Sequence, residues 1–274
     1  MKKIMMTILA IALAFFCYDG FGEQDGVHKT YYKNGQIETE AMHKNGKIEG
    51  ILKGYYENGQ LRTETTHKNG KLDGPSKTYY ENGQLESEVF YKDDKQDGSF
   101  KVYYKNGQLK DDGNYKNGKS DGLCKMYYEN GKVKTELNFK DGKQDGAFKT
   151  YYEDGQLELE QTYKDGKRDG STKAYYENGK LKSEEAYKDD KKEGLFKGYH
   201  ENGLLAGEEY YSDDKNDGPC KIYYENGKLR SEELYKNGRR EGSAKIYYES
   251  GKLRAEAIYK DDKVVEVSET HKEN

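Results

Sequence analysis

Tryptophan is absent from this sequence, and proline and cysteine are scarce. The sequence contains two prolines and three cysteines among 274 residues. So little proline leaves the backbone N–H groups available for β-sheet pairing along almost the whole chain. No cysteine–histidine spacing typical of zinc is present, so we expect neither a metal nor a cofactor. The lack of tryptophan disfavours a cage for quaternary ammonium groups, which rely most on tryptophan faces.

The chain also lacks an excess of charge of either sign. Its 47 basic and 51 acidic residues leave a formal net charge of -4, and the signs alternate locally. Because a nucleic-acid track needs a basic stripe, we expect no nucleic-acid partner. Apolar residues are scarce as well: the mean hydropathy is -1.24 and 36% of the residues are charged. That composition approaches the signature of disorder.

The positions of the tyrosines argue against disorder. Tyrosine pairs recur every 24 residues from Tyr31-Tyr32 to Tyr247-Tyr248, with His200 replacing one member. Of the 28 tyrosines, 19 occupy these paired positions and seven more share a third phase of the repeat. A solvated random chain has no reason to keep such phases. The fixed period indicates stacked copies of one small unit, so that function resides in a long surface.

Each repeat contains two turn signals between β-prone segments. Asn58-Gly59 follows Tyr55-Tyr56, and Asn69-Gly70 closes the same unit, with Asp93-Asp94 as the variant in the next. Asn-Gly between two such segments is the strongest short hairpin signal, because both central residues of a type I′ turn need positive φ. The sequence therefore predicts an all-β fold, an elongated single-layer antiparallel meander of ten 24-residue β-hairpin repeats. At ~4.8 Å per strand, it would extend on the order of 95 Å.

A two-residue turn at Asn82-Gly83 would fix the register and sort side chains onto two faces. The predicted pairs are Tyr80 with Leu85, Thr78 with Ser87, Gly74 with Tyr91 and Lys77 with Glu88. We expect an apolar face on which an aromatic ring covers a strand glycine in each repeat. These glycines are Gly74, Gly98, Gly122, Gly146, Gly170, Gly194, Gly218 and Gly242.

The opposite face is the candidate interaction face, built from tyrosines and from lysine–carboxylate pairs across neighbouring strands. Its proposed residues are Tyr79, Tyr103, Tyr127, Tyr151 and Tyr175, with Lys77, Lys101, Lys125, Lys149 and Lys173, and with Glu88, Glu136, Glu160 and Glu184. Each exposed pair is worth only ~0.2–1 kcal/mol. A row of them contributes more to register and solubility than to stability.

The two ends of the chain differ from the repeats. Lys2 and Lys3 precede an apolar segment, and Gly20-Phe21-Gly22 supplies a small-x-small cleavage site, so residues 1–22 are predicted to be a signal peptide. The alternatives are an uncleaved anchor, for which about 14 apolar residues are short of the ~20 needed, and lipidation at Cys17. Residues 23–262 form the array, and residues 263–274 a capping strand with a charged tail. Export to the periplasm, the cell surface or the medium follows.

No catalytic constellation stands out from the repeated positions. A catalytic site needs singular residues that converge in a pocket, whereas nearly every polar residue here is a copied position. His43 and His67 occupy the phase of later tyrosines, so we interpret them as ring substitutes, and His200 as drift within a tyrosine pair. Cys124 and Cys220 lie four periods apart, on the order of 38 Å at ~4.8 Å per strand, and should not form a disulfide. We therefore expect a non-enzymatic protein.

Two of the repeat units carry a family resemblance. The segments YYENGQLESEVFYKDDKQDG and YYENGKLRSEELYKNGRREG resemble the bacterial variant of the MORN repeat. Tandem arrays of that variant look like the YwqK-type family that is labelled as antitoxins. The resemblance implies protein–protein contacts, membrane-lipid association or scaffolding, and the antitoxin label implies a partner toxin. We expect an exported module that binds a protein or an envelope component; the alternative is an array that binds cell-wall glycan or choline-type groups.

Overall fold

The fold is all β, as the repeats predict. The computed structural model describes residues 24–268, which form 24 strands in one open antiparallel sheet without a helix. The predicted signal peptide, Cys17 and the end of the charged tail lie outside the described residues. Within residues 24–268, no helix is long and apolar enough to cross a membrane.

The strands follow the chain in order. They are β1 (Gly26–Tyr31), β2 (Ile37–Lys44), β3 (Lys47–Tyr55), β4 (Leu61–Lys68), β5 (Lys71–Tyr79), β6 (Leu85–Lys92), β7 (Lys95–Tyr103), β8 (Leu109–Lys116), β9 (Lys119–Ser120), β10 (Gly122–Tyr127), β11 (Val133–Lys140) and β12 (Lys143–Tyr151). The second half comprises β13 (Leu157–Lys164), β14 (Lys167–Tyr175), β15 (Leu181–Lys188), β16 (Lys191–Lys192), β17 (Gly194–Tyr199), β18 (Leu205–Ser212), β19 (Lys215–Tyr223), β20 (Leu229–Lys236), β21 (Arg239–Arg240), β22 (Gly242–Tyr247), β23 (Leu253–Lys260) and β24 (Lys263–Val267).

Each strand pairs with its neighbours in the sequence, which makes the sheet a meander. Three long strands are interrupted by one residue, at Asp121, Glu193 and Glu241, and both pieces of each pair with the same preceding strand. Among residues 24–268, β1 pairs only with β2, and β24 pairs only with β23. The sheet therefore has two free edges and grows in one direction by repetition.

The turn after each tyrosine pair differs from the prediction. In the third repeat, Gly83 N–H donates to the Tyr80 carbonyl at 2.8 Å, and Tyr80 N–H donates to the Gln84 carbonyl at 2.9 Å. Gly83 has φ 83°, but Asn82 is not among the residues with positive φ. This is a three-residue loop in which a left-handed glycine follows a type I turn. Tyr79, not Tyr80, therefore pairs with Leu85, and the predicted type I′ turn is wrong here.

The turn at the other end of each hairpin is the predicted type. Asn69 and Gly70 have φ 52° and 81°, and Asp93 and Asp94 have φ 46° and 65°. Positive φ at both central residues is the requirement of a type I′ turn. The Asp94 carboxylate accepts the N–H of Leu72 at 2.8 Å, a contact that secures the aspartate turn to the previous repeat.

The core lies on one face of the sheet. Val89, Phe100, Cys124, Leu137 and Phe148 form a buried cluster in which Phe100 is 1% exposed and Cys124 0%. We call this face the inner face. Aromatic rings close over the cluster, as Tyr115 does at 5.1 Å from the Phe100 ring. The opposite, outer face carries the lysine–carboxylate pairs.

The eight repeated strand glycines all have positive φ. Gly98 pairs with Tyr115, as the register required. However, Gly98 has φ 117°, and a Cβ there would meet the Cβ of Phe90 at 3.0 Å. Glycine at this position is favoured by its backbone conformation and by this close approach; the covering of Gly98 by the Tyr115 ring stays a prediction. Both described cysteines are free.

Candidate functional site

A continuous charged ladder runs along the outer face through all ten repeats. Each lysine pairs with a carboxylate on the following strand, as predicted for Lys77 with Glu88 and Lys149 with Glu160. In addition, each lysine after the first lies beside a carboxylate on the preceding strand. The ladder consists of Lys29, Glu40, Lys53, Glu64, Lys77, Glu88, Lys101, Asp112, Lys125, Glu136, Lys149, Glu160, Lys173, Glu184, Lys197, Glu208, Lys221, Glu232, Lys245 and Glu256.

The ladder is half-buried and electrostatically tight at its centre. Lys125 Nζ lies 2.8 Å from Glu136 Oε1, and the two side chains are 32% and 25% exposed. Lys77 and Glu88 approach to 3.5 Å, and Lys173 and Glu184 to 3.6 Å. Because the carboxylates and ammonium groups alternate strand by strand, the face has nearly no net charge but a strong local pattern.

In seven of the ten pairs, the first tyrosine joins this ladder through its hydroxyl, a contact that the sequence reasoning missed. The Tyr151 hydroxyl donates to Glu136 at 3.0 Å, and the Tyr175 hydroxyl donates to Glu160 at 3.1 Å. The Tyr127 hydroxyl makes the equivalent bond to Asp112 at 3.3 Å. Within residues 24–268, Tyr79 and Tyr103 make no such hydrogen bond. The constant 15-residue separation between tyrosine and carboxylate was the available sequence signal.

Protonation follows from these contacts. The Lys125 ammonium group holds the pKa of Glu136 below its usual range, and the Tyr151 hydroxyl adds to this effect. Conversely, burial and the Glu136 carboxylate raise the pKa of Tyr151 to about 12. At neutral pH Glu136 is therefore ionised, and Tyr151 is a neutral hydroxyl donor to it.

The second tyrosine of each pair has a structural role. The Tyr80 hydroxyl donates to the Tyr103 carbonyl at 2.7 Å, and the Tyr104 hydroxyl repeats the bond to Tyr127 at 2.7 Å. His200 substitutes for this tyrosine, with Nε2 3.1 Å from the Tyr223 carbonyl. Several of these rings also carry a lysine of their own repeat, such as Lys134 at 5.3 Å from the Tyr128 centroid.

The histidines at the third phase occupy ring positions. His67 pairs with Gly50 just as Tyr91 pairs with Gly74, and its side chain is buried. Burial lowers the pKa of His67, so the neutral ring is favoured. No group of three or more potential metal-ligating side chains clusters among residues 24–268.

The inner face becomes polar toward the C-terminus, which the sequence reasoning did not foresee. Glu209 occupies the position that Val89 and Leu137 hold in earlier repeats, and it accepts a hydrogen bond from Tyr211 at 2.5 Å. Lys192 Nζ lies 4.4 Å from the Tyr211 centroid. Burial, followed by the neighbouring glutamates, raises the pKa of Cys220 to about 11, so this thiol is protonated at neutral pH. Tyr211 thus contacts both a carboxylate and an ammonium group on this face.

The comparisons with known proteins identify the repeat. Ten segments of the chain match the family described as the MORN repeat variant: 24–45, 48–69, 72–93, 96–117, 120–141, 144–165, 168–189, 192–213, 216–237 and 240–261. No curated protein matches the chain.

Several solved structures are similar at low identity. The crystal structure of TcdB2-TccC3 shares 14% identity over 88% of this chain and 15% of that chain, with a TM-score of 0.20. The complex TcdB2-TccC3-Cdc42 shares 14% identity over 85% of this chain and 14% of that chain, with a TM-score of 0.18. A Tc holotoxin pore from Photorhabdus luminescens shares 12% identity over 86% of this chain and 13% of that chain, with a TM-score of 0.18. The chain thus spans about 15% of the length of these proteins. TM-scores of this size support no conclusion about fold or function.

Proposed function

This chain belongs to the MORN repeat variant family, whose repeats are generally interaction modules, and we propose that it is a non-enzymatic, exported interaction module. Its partner would be a protein or a component of the cell envelope. The observation that carries the proposal is the outer-face ladder, a pattern of alternating charge that continues through all ten repeats. A surface of this kind specifies a partner by charge complementarity over many strands.

The centre of the ladder supplies the proposed contact residues. Tyr127, Tyr151 and Tyr175 hold their hydroxyls on carboxylates at 3.0–3.3 Å, and this contact limits the rotamer freedom of each ring. Rigid tyrosines lose little conformational entropy on binding and are enriched where partners dock. We therefore place the binding surface on the outer face and not on the self-covered inner face.

The antitoxin-like role is a special case of this proposal. It would require a toxin as the partner, and it conflicts with export unless that toxin acts outside the cytoplasm. Cell fractionation of the intact chain, compared with a chain that lacks residues 1–22, tests export. Coexpression with a toxin encoded beside it tests the antitoxin role.

The alternative is an array that binds cell-wall glycan or choline-type groups. It has less support, because the chain has no tryptophan and because several tyrosine rings already have an internal cation. Lys110 and Lys182 lie 5.7 Å and 5.6 Å from the centroids of Tyr104 and Tyr176. A quaternary ammonium ligand would have to displace them.

A photo-crosslinking experiment tests where the partner binds. A photoreactive phenylalanine analogue is placed at Tyr127, Tyr151 or Tyr175 in cells, with Tyr115 and Tyr163 on the inner face as matched controls. We expect a discrete crosslinked product from the outer-face positions alone. Crosslinks only at Tyr115 and Tyr163 would move the interaction to the inner face, and a chain with products at neither set would not be an interaction module.

A further inference from the structure

The type I′ turns lie along one long side of the sheet, where they bring lysines together in directly opposed pairs. At the type I′ turns, Lys68 pairs with Lys71 and Lys116 pairs with Lys119 across the hairpin. Nine of the ten turns place two cations opposite each other in this way. Like charges directly opposite destabilise a strand pair. The repeated lysine pairs therefore destabilise the fold, which indicates that these lysines serve a function other than folding.

The positive charge is concentrated in the first six turns. We call their twelve lysines the basic edge: Lys44, Lys47, Lys68, Lys71, Lys92, Lys95, Lys116, Lys119, Lys140, Lys143, Lys164 and Lys167. The turn dipeptides between them contain four aspartates. In the last four turns, seven cations face six aspartates, so charge there is nearly balanced.

Ion pairing separates the same two regions. Within the described residues, only Lys71 and Lys167 of the basic edge form ion pairs, with Asp93 at 3.5 Å and Asp189 at 3.4 Å. The other ten ammonium groups are exposed and make none. In the last four turns, Lys191 pairs with Asp213, and Arg239 pairs with Asp261 at 3.2 Å.

The acidic residues nearest the basic edge are engaged with the turn backbone. The Glu49 carboxylate accepts the N–H of Asn69 at 2.7 Å, and the Asp97 carboxylate accepts the N–H of Asn117 at 3.0 Å. Asp145 makes the same bond to Asp165 at 3.1 Å. These carboxylates form no ion pair with a basic-edge lysine, so they hold the turn and leave the lysines available.

We propose that the basic edge, a surface separate from the outer-face ladder, binds an extended, single-chain polyanion, such as a phosphate-bearing polymer of the cell envelope; the cell-envelope source rests on the proposed export. With two strands per repeat at ~4.8 Å, the lysine pairs recur about every 10 Å, and six pairs span on the order of 50 Å. A linear polymer can follow this row and place its phosphates between the ammonium groups. Release of its counterions supplies the driving force.

The chemistry of the turns favours a polymer over a membrane. A surface that enters the headgroup region needs apolar side chains beside its cations. The turn dipeptides of the basic edge are only Asn-Gly, Asp-Gly and Asp-Asp. A single row of cations also covers little of a flat bilayer, whereas it matches a chain lengthwise.

The test compares two fourfold variants that change the net charge equally. The first carries Lys68→Gln, Lys92→Gln, Lys116→Gln and Lys140→Gln in the basic edge. The control carries Lys215→Gln, Lys236→Gln, Lys260→Gln and Lys263→Gln in the C-terminal turns. Fluorescence anisotropy measures binding of a labelled linear polyphosphate over a series of NaCl concentrations, and vesicles containing phosphatidylglycerol form a separate arm.

We expect the first variant to bind polyphosphate at least tenfold more weakly, with a dependence of log K on log[NaCl] that is shallower by about 3. The control should stay within threefold of the unmodified chain. Unfolding stability reports whether the first variant folds, and it should not fall, because repulsion is relieved. Equal losses in the two variants, no polyphosphate binding by the unmodified chain, or binding to vesicles alone would each overturn the proposal. Crosslinking from Tyr151 is repeated in the first variant, to distinguish failure of this proposal from failure of the outer-face interaction. We expect the Tyr151 crosslink to be unchanged, because the four substitutions lie in the basic edge.

Discussion

Three tyrosine phases serve three different purposes in one repeat. Tyr151 donates to a carboxylate of the charged ladder, and its neighbour Tyr152 donates to the Tyr175 carbonyl at 2.7 Å. Tyr163 instead packs its ring on Phe148 at 6.0 Å in the core. The hydroxyl is therefore used in hydrogen bonds at Tyr151 and Tyr152, whereas the third-phase residue contributes its ring to the core, and in the C-terminal repeats its hydroxyl as well, as Tyr211 does. The histidines at that phase, and Phe139, follow from this difference.

The hydroxyl of Tyr151 should contribute measurably to stability. We expect Tyr151→Phe to lower the free energy of unfolding by about 1 kcal/mol, because a hydrogen bond to a half-buried carboxylate is lost. The pKa of Glu136 should rise at the same time, which NMR titration would detect. Tyr103→Phe is the matched control, since its hydroxyl has no carboxylate partner within the described residues. Equal losses in urea unfolding of the two variants would contradict this role.

Glycine conformation provides a second test with a matched residue. Gly83 has φ 83°, and Gly83→Ala should cost about 1–2 kcal/mol, because a Cβ strains the left-handed region. Gly198 has no positive φ, and a Cβ there would meet nothing within 4 Å. Gly198→Ala should be neutral or should stabilise by up to about 1 kcal/mol through the unfolded chain. Urea denaturation measures the free energy of unfolding of both variants. A loss of stability in Gly198→Ala as large as that in Gly83→Ala would contradict the role given to positive φ.

At the scale of the element, the hairpin was predictable and its two turns were not equally so. Asn69-Gly70 and Asn82-Gly83 are the same dipeptide, and local sequence suggests one turn type for both. In the fold, the Asn82 side chain accepts the N–H of Gln84 at 3.0 Å, which stabilises the three-residue loop. Contacts with the next repeat also differ: the Asn82 amide reaches the Lys105 carbonyl at 3.4 Å. A dipeptide rule sees neither contact.

Apart from Tyr80 with Leu85, the predicted cross-strand pairs were correct, because they depend only on alternation and on the strand order of a meander. Lys77 with Glu88 and Thr78 with Ser87 survive the wrong turn, because an extra residue near Glu86 restores the register. The lysine pairs of the basic edge escaped notice for the opposite reason. Lysines that flank a turn, as Lys92 and Lys95 flank Asp93-Asp94, come to face each other and to line up with those of other repeats only after folding.

The continuity of the ladder can be tested by charge exchange. Lys149 lies between Glu136 and Glu160, and Glu160 also faces Lys173. Exchanging Lys149 and Glu160 restores that pair but creates two like-charge contacts, each costing ~0.2–1 kcal/mol. We expect the exchange to be no more stable than either single reversal, yet less destabilised than their sum.

The matched control for this exchange is the last rung. Glu256 has no lysine on its far side, so exchanging Lys245 and Glu256 creates one like-charge contact, with Glu232. Chemical denaturation should therefore find the terminal exchange milder than the central one. If both exchanges behaved as isolated pairs, with full recovery, the ladder would not act as a continuous array.

At the scale of the whole molecule, the quality of packing varies along a uniform architecture. Buried residues extend from Ala41 to Phe196, and none occurs between Glu201 and Ser268. In the C-terminal repeats, glutamates replace apolar core residues, and the side chains of Ile222 and Ile246 are 39% and 43% exposed. In a stacked array, each repeat is stabilised only by its neighbours. The C-terminal repeats should therefore open before the centre.

Hydrogen exchange measures this difference directly. Amides of β19–β23 should exchange at least tenfold faster than the hydrogen-bonded amides of β5–β12, since their repeats bury less apolar surface. The comparison is internal, because both regions have the same strand lengths and pairing pattern. Uniform protection along the chain would mean that unfolding is concerted and that the packing difference has no energetic consequence.

High pH should unfold the protein through its tyrosines. Burial raises the pKa of Tyr247 to about 12, and the same cause acts at Tyr151 and Tyr187. Because the unfolded value is about 10, the stabilising contribution is complete below pH 10 and is lost as the pH rises through 12. Tyrosinate absorbance and loss of the β-sheet circular dichroism should therefore rise together. Ionisation of all tyrosines near pH 10 with the sheet intact would contradict this linkage.

Because the same hydroxyl-to-carbonyl hydrogen bond joins successive repeats, the contact between repeats does not depend on how many repeats the protein has. Tyr104 reaches the Tyr127 carbonyl, and Tyr128 reaches the Tyr151 carbonyl, each by the same 23-residue step at 2.7 Å. Excision of 24 residues between equivalent points rejoins a donor to an acceptor identical to the one removed. Duplication does the same in reverse. Gain or loss of one 24-residue unit in the gene can therefore lengthen or shorten the protein by one repeat while the hydrogen bond between repeats is kept.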